Sequence, residues 1–449
     1  RIRPSKDRVE AGDHVLKITK EQDIRFIRLW FTDILGFLKS FTITFKELEG
    51  AMQSGSGFDG SSIQGFARID ESDMVVLPDP STFRILPWHS EEHQTVARMF
   101  CDVYWPGGQP FEGDPRYVLK KNLKKAMDMG YTFHVGPELE YFYFQNSETP
   151  QFLDQLGYFD LTPPDTATDL RRETISILEQ IGIGVECSHH EVAPSQHEID
   201  LRYTDALAMA DNVMTARLVI KHVAQKHGIY ATFMPKPVSG VNGSGMHVNM
   251  SLSKDGRNTF FDEKELHHLS ETAKHFAAGL LKHAPEITSI TNQWVNSYKR
   301  LLPNYEAPVY ITWARKNRAD LIRIPEYQPG REKATRIELR SPDPACNPYL
   351  AFSAILAAGL EGIEKGYDPP PPLERNVFEM TEQERQEKGI NALPGSLYEA
   401  IKFTESSELV KKTLGQHLFN TFIENKKVEW ERYCSQVTDY ELKQCLPIL

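Results

Sequence analysis

The chain is 449 residues long, which at about 150 residues per domain leaves room for two or three. Its 40% apolar and 25% charged residues exclude wholesale disorder, and a net charge of −11 argues against a dedicated nucleic-acid or anionic-membrane binder. No apolar run reaches the ~18 residues of a membrane helix, the five cysteines hold no CxxC pair, and no secretory signal is visible, so a soluble cytoplasmic protein is expected.

In chain order, Phe26, Arg28 and Trp30 belong to an extended run that turns at Asp33-Ile-Leu-Gly36 into a second run, Lys39 to Ile43. Phe45 to Met52 reads as a brief helix and Met74 to Leu77 as a further strand, together a small α+β module. The segment from Trp105 through Pro110 to Asp114-Pro115 is the sharpest break in composition, which predicts domains over 1–110 and 111–449. Beyond it, Val118, Leu119, Leu123, Ala126 and Met127 fall at helical spacing and stop before Gly130. Thr204 is placed to cap a long helix ending at Gly228, and Asn347-Pro348 supplies a cap and first-turn proline for one ending at Gly366. Pro369 to Pro372 reads as a stiff connector before a helical tail.

Four extended segments carry ionisable residues at alternate positions. Glu138 and Glu140 share a face with Phe142 and Phe144, with Leu139, Tyr141 and Tyr143 on the other. His247, Asn249 and Ser251 alternate with Met246, Val248 and Met250, while Arg336, Glu338 and Arg340 alternate with Ile337 and Leu339. His189-His190-Glu191, with Glu198 and Asp200 downstream, forms a fourth cluster. Each strand alone is read as a sheet with its polar face in water. Together they offer Glu, His and Arg without lysine, and gathered carboxylates repel unless hard divalent cations such as Mg²⁺ or Mn²⁺ join them.

A basic constellation lies between residues 300 and 340: Arg300, Arg315, Arg318, Arg323, Arg336 and Arg340. Arginine grips phosphate and carboxylate bidentately, so arginines beside metal-type carboxylates suggest ATP and phosphoryl transfer; Arg315 alone is assigned to solvated surface. Gly55, Gly57 and Gly60 match GxGxxG but lack a following helix, and no GxxxxGK[ST] occurs. Asn242-Gly-Ser244 is an accidental glycosylation match, and His189, His190 and His197 form no HExxH.

The runs Phe58-Asp-Gly-Ser-Ser62, Gly136-Pro-Glu-Leu-Glu140, His189-His-Glu-Val-Ala-Pro-Ser-Gln-His-Glu198, Phe233-Met-Pro-Lys-Pro237, Asn242-Gly-Ser-Gly-Met-His247, Asn296-Ser-Tyr-Lys-Arg300, Asn304-Tyr-Glu-Ala-Pro308 and Arg336-Ile-Glu-Leu-Arg340, in that order, resemble the prokaryotic type I glutamine synthetases. The resemblance covers essentially the whole chain. It implies an α+β protein: an N-terminal β-grasp domain and a larger catalytic domain whose antiparallel strands line a two-metal bowl. It also implies a homo-oligomer of two stacked hexameric rings, a dodecamer, with active sites between subunits.

By that resemblance Glu140, Glu191 and Glu198 would hold one Mg²⁺ or Mn²⁺, and Glu138, His247 and Glu338 a second. ATP would meet His247, Arg323, Arg336, Lys333, Glu186, Tyr203 and Ser251. Asn242, Gly243, Arg300 and Arg340 would hold glutamate, while Asp59, Ser62, Tyr158 and Glu191 would cage ammonium. Asp59 would be the base, Arg318 would face the transferred phosphoryl group, and Glu306 would close a flap over the site. Water competes for a γ-glutamyl phosphate, which gives that closure its purpose. Arg68 matches the arginine linked to glutamine feedback in the type I-alpha subclass.

Departures from relatives are Asn304 in place of a glycine, Asn249 in place of a second histidine, and Phe378, in Asn376-Val-Phe-Glu379, in place of the tyrosine that is adenylylated elsewhere. Phe378 has no hydroxyl, so no adenylylation is expected there. Competing readings are a γ-glutamyl ligase using a larger amine, a non-catalytic homologue, and a two-metal hydrolase. Neither the regulator (a PII-type or small inhibitory protein) nor the choice between dodecamer and hexamer is fixed by sequence.

Overall fold

The computed structural model describes the chain except for residues 1–5, 66–72, 90–94, 162–165, 304, 306 and 316. Arg68, Glu306 and Asn304 therefore lie outside the described residues. A first sheet is built from β1 (Phe26–Thr32), β2 (Leu38–Thr44), β3 (Ser56–Asp59), β4 (Asp73–Pro78), β5 (Arg84–Ile85) and β6 (Val96–Tyr104), in the order β2-β1-β6-β4-β3 with β5 also on β6. The β1–β2 turn falls where Asp33 to Gly36 predicts it, and the helix Phe45–Ser54 follows directly. The helix Lys6–Glu21, the short strands β3 and β5, and the central strand β6, which pairs parallel to β1 and antiparallel to β4, were not expected.

The second sheet has ten strands. They are β7 (Thr132–Phe144), β8 (Val185–His190), β9 (Gln196–Leu201), β10 (Thr204–Asp205), β11 (Tyr230–Thr232), β12 (Met246–Lys254), β13 (Arg257–Asn258), β14 (Trp313–Ala314), β15 (Ile322–Arg323) and β16 (Ile337–Leu339). The path runs β14-β15-β16-β12-β7-β9-β8, antiparallel except between β14 and β15. Helices Ala206–Lys226, Glu271–Thr291 and Pro348–Lys365 share one apolar core with this sheet. Asn347 caps the last of these through the Tyr349 and Leu350 amides, and Gly366 ends it at φ 62°. The helix at 206 is capped by Asp205, not Thr204: both pair with β7, and it is the Asp205 carboxylate that accepts from the Ala208 amide at 3.0 Å. Helices Glu271–Thr291 and Pro348–Lys365 cross backbone to backbone: a Cβ on Gly279 would collide with the Ala358 carbonyl and one on Gly362 with that of His275. Among the described residues no helix is long and apolar enough to cross a membrane.

One guanidinium joins the two sheets. Arg116, 3% exposed, donates to Asp102 of β6 at 2.6 Å, to Asp79 just after β4 at 2.9 Å, and to Asp211 on the helix beneath the second sheet at 3.0 Å. Tyr349 donates to the same Asp211 at 2.6 Å. Burial would raise the Asp79 carboxyl, but Arg116 and Lys120 bring it down to about 2, and Asp102 is lowered by the same two cations. Arg116→Ala removes the guanidinium that three largely buried carboxylates share, leaving only Lys120 on Asp102, and is expected to destabilise by about 3–5 kcal/mol in denaturant unfolding. A loss below about 1 kcal/mol would contradict this assignment. Because both folded carboxyls lie below their ordinary value, the stability they contribute is present above about pH 4 and is lost as pH falls below it, for Asp79 toward about 2. A flat unfolding midpoint across that window would contradict it.

Candidate active site

Strand register brings the polar clusters together. Burial of Leu139, Tyr141 and Tyr143 in the core turns Glu138 and Glu140 to the opposite face of β7. Glu138 is paired with His247 of β12 on one side and Asp200 of β9 on the other, while Glu140 is paired with Glu198. Further out, Glu338 of β16 lies opposite Asn249 of β12 and Arg323 of β15, and His189 of β8 opposite Glu198. Six strands, β7, β8, β9, β12, β15 and β16, therefore present one continuous ionisable face.

The hydrogen bonds follow from that register. His247 Nδ1 is 2.9 Å from Glu138, and its ring is 3.7 Å from Glu338 and 3.8 Å from Glu140. Asn249 donates to Glu138 at 2.8 Å and accepts from Arg336 at 2.8 Å. Glu338, wholly buried, accepts from Arg340 at 2.5 Å and from Arg323. Glu140 accepts from the Gly245 amide at 2.7 Å and from Gln196 at 3.2 Å. Arg300 donates to the Ser341 carbonyl at 2.6 Å and the Arg340 carbonyl at 3.1 Å. Its guanidinium passes so close to the 243–245 backbone that a Cβ on Gly245 would strike it.

Crowding of like charge marks the site. Burial first, and then Glu191, pushes the Glu140 carboxyl up to about 8. Burial, then Glu140 and Asp200, holds Glu198 well above the carboxylate range, and burial with Glu138 raises Asp200 to about 6. Burial would raise Glu138 too, but the His247 hydrogen bond brings it to about 2. The donor set fits divalent cations: Glu138, Glu198 and His247 each offer an atom within 4.8 Å of the others, as do His189, Glu191 and Glu198.

Two cavities meet at this face, with Glu138 and Asp200 on the walls of both. The larger, about 900 Å³, is lined by Glu140, Glu191, Glu198 and His247, by Asn242, Gly243 and Tyr158, and by Arg300, Arg318, Arg323 and Arg340. The smaller, about 480 Å³, is lined by Glu186, Tyr203, Ser251, Lys333 and Arg336. Glu338 lies beneath the floor through its arginine partners. Arg315 lines neither cavity and pairs with Glu374 at 3.0 Å. Asp59 and Ser62 stand apart: both are exposed at the edge of the first sheet and line neither cavity. The Asp59 carboxylate accepts instead from the Ser61 amide and hydroxyl, both at 2.9 Å, and these lower it.

Sequence reasoning gave no role to several residues found here. His189 bonds Glu198 at 3.0 Å, Gln196 bridges Glu140 and the Gly243 carbonyl at 2.9 Å, and Asn376 and Phe378 lie on the wall of the larger cavity. Gln196 sits inside the His189–Glu198 run, but an uncharged amide carries no metal signature.

Residues 112–445 match the family described as glutamine synthetase, catalytic domain, and residues 23–106 the glutamine synthetase beta-grasp domain. The chain is 53% identical to a glutamine synthetase of Methanosarcina mazei over 97% of its length and 98% of that relative's. It is 51% identical to one of Clostridium saccharobutylicum over 97% of this chain and 98% of that one. Among solved structures, a GmaS/ADP complex superposes with a TM-score of 0.87 at 33% identity, covering 96% of this chain and 99% of that one. The β-grasp sheet, the catalytic sheet and the full-length identities agree: the chain belongs to the glutamine synthetase family.

Proposed function

We infer that the two cavities are the nucleotide and glutamate halves of one ligase site. The observation that carries this is their common wall at Glu138 and Asp200, beside a ring of carboxylates and one imidazole. The reaction is the ATP-dependent joining of ammonia to the side-chain carboxylate of glutamate, giving glutamine, ADP and phosphate. A carboxylate is a poor acyl donor, and conversion to γ-glutamyl phosphate supplies the leaving group. ATP occupies the smaller cavity against Glu186, Tyr203, Ser251 and Lys333, its phosphates pointing past Arg336 and Arg323 toward His247. Asn242, Gly243, Arg300 and Arg340 hold glutamate, and Arg318 faces the phosphoryl group in transit.

Glu140, Glu191 and Glu198 would hold one Mg²⁺ or Mn²⁺, and Glu138, His247 and Glu338 the other. Bound there, the ions offset phosphate charge. Asp59, with Ser62, Tyr158 and Glu191, takes the proton of ammonium. Since Asp59 and Ser62 line neither cavity of their own chain, a neighbouring subunit supplies them, in keeping with a dodecamer of two hexameric rings. Glu306 closes the site, Arg68 links it to glutamine feedback, a PII-type or small inhibitory protein is a separate regulator, and the enzyme works in the cytoplasm, with domains at 1–110 and 111–449.

The test is phosphate release from ATP with Mg²⁺ and glutamate, comparing ammonium with putrescine, spermidine and ethanolamine. Ammonium is expected to be strongly preferred, with glutamine formed and all turnover lost on chelation by EDTA. Release only with a larger amine, or turnover that survives EDTA, would overturn the reading.

A further inference from the structure

The segment carrying Tyr158 and the turn carrying Glu191 are separate loops that must keep register for both to face one amine. Asp154, partly exposed, and the buried His190 do much of this. Asp154 accepts from three donors: the Leu156 amide of its own loop at 3.1 Å, the Ser195 amide of the Glu191 turn at 3.0 Å, and His190 Nε2 at 3.0 Å. The other nitrogen of the His190 ring, Nδ1, lies 2.7 Å from the Glu191 carbonyl, so the ring donates from both sides. The loops are laced again by the Phe159 amide on the His190 carbonyl at 3.2 Å, and by the Leu153 amide on the Ser195 hydroxyl at 2.6 Å. The lacing holds unfavourable backbone, since Phe159 (φ 61°) and Ser195 (φ 60°) both sit in the left-handed region. Neither Asp154 nor His190 lines the cavity that Tyr158 and Glu191 line.

We propose that Asp154 and His190 are a positioning pair that sets the distance between Tyr158 and Glu191 and thereby the amine subsite. This rests on the reading that Tyr158 and Glu191 contact ammonium. Neither residue touches substrate; because Glu191 also stands among the metal carboxylates, their loss should misplace the amine more than it weakens glutamate or ATP.

The full enzyme carrying Asp154→Asn, and separately His190→Gln, is assayed for the KM of each substrate and for phosphate released per glutamine. The expected result is an ammonium KM raised about 10-fold or more, glutamate and ATP KM raised clearly less, kcat largely recovered at saturating ammonium, and phosphate in excess of glutamine below it. An unchanged ammonium KM with equal phosphate and glutamine, or an equal rise in all three KM values, would overturn the proposal. If Asp154→Asn fails to assemble, His190→Gln, which keeps an amide donor at similar volume, decides by the same criteria. Tyr158→Phe separates the two readings. If it also leaves the ammonium KM unchanged, the amine assignment fails; if it raises that KM while Asp154→Asn does not, only the positioning pair fails.

Discussion

The Glu338→Ala variant is expected to lose about 10²-fold or more in turnover, and ATP binding is expected to weaken more than glutamate binding. Glu338 is wholly buried, accepts from Arg340 at 2.5 Å and from Arg323, and lies 3.7 Å from His247. Its removal deletes a donor on the nucleotide side and leaves two guanidiniums without their carboxylate. The second effect alone is expected to cost about 3–5 kcal/mol in stability. Glu338→Gln keeps the volume, so comparing the two variants separates packing from charge. ATP and glutamate affinities measured by calorimetry check the ranking; equal weakening of both would undo the division of the carboxylates between two ions.

Asp59→Ala is expected to lower glutamine formation by about 10²–10⁴-fold while ATP and glutamate still bind. The sharper test mixes subunits. Asp59→Ala and Arg340→Ala proteins, each inactive alone, are dissociated, combined and reassembled. If Asp59 of one subunit serves the cavity of the next, some sites in the mixed ring carry neither defect and activity returns. If each chain completed its own site, every site would keep one defect and no mixture would recover. That second outcome would also dispose of the subunit-shared site.

Much of the bowl was legible because a half-buried strand writes its two faces alternately into the sequence. Leu139, Tyr141 and Tyr143 against Glu138 and Glu140 is such a record, and Asn347 with Gly366 marks both ends of its helix as plainly. β6 was not legible because it is central and almost wholly buried, so Arg98 and Asp102 interrupt an otherwise apolar run without setting a period. The helix Lys6–Glu21 is rich in charge and its apolar stripe is thin. The Arg116 cluster joins residues at positions 79, 102, 116 and 211, and nothing local marks them as partners. Thr204 and Asp205 are both good caps and both pair with β7; Asp205 caps because it directly precedes the helix and its carboxylate reaches the Ala208 amide. Gln196 was passed over because its contribution is to orient Glu140, a property of geometry and not of residue type.

The crossing of helices Glu271–Thr291 and Pro348–Lys365 has a bearing on how variants of this enzyme are interpreted. Gly279 and Gly362 line neither cavity, yet any larger side chain at either would have to displace a main-chain carbonyl on the opposing helix. A saturation screen scored by growth or turnover would rank these two positions alongside the metal ligands. Abundance measured in the same screen would tell them apart, because the glycine variants deplete the protein itself whereas variants at the partly exposed ligands Glu138 and Glu191 leave a full complement of inactive enzyme.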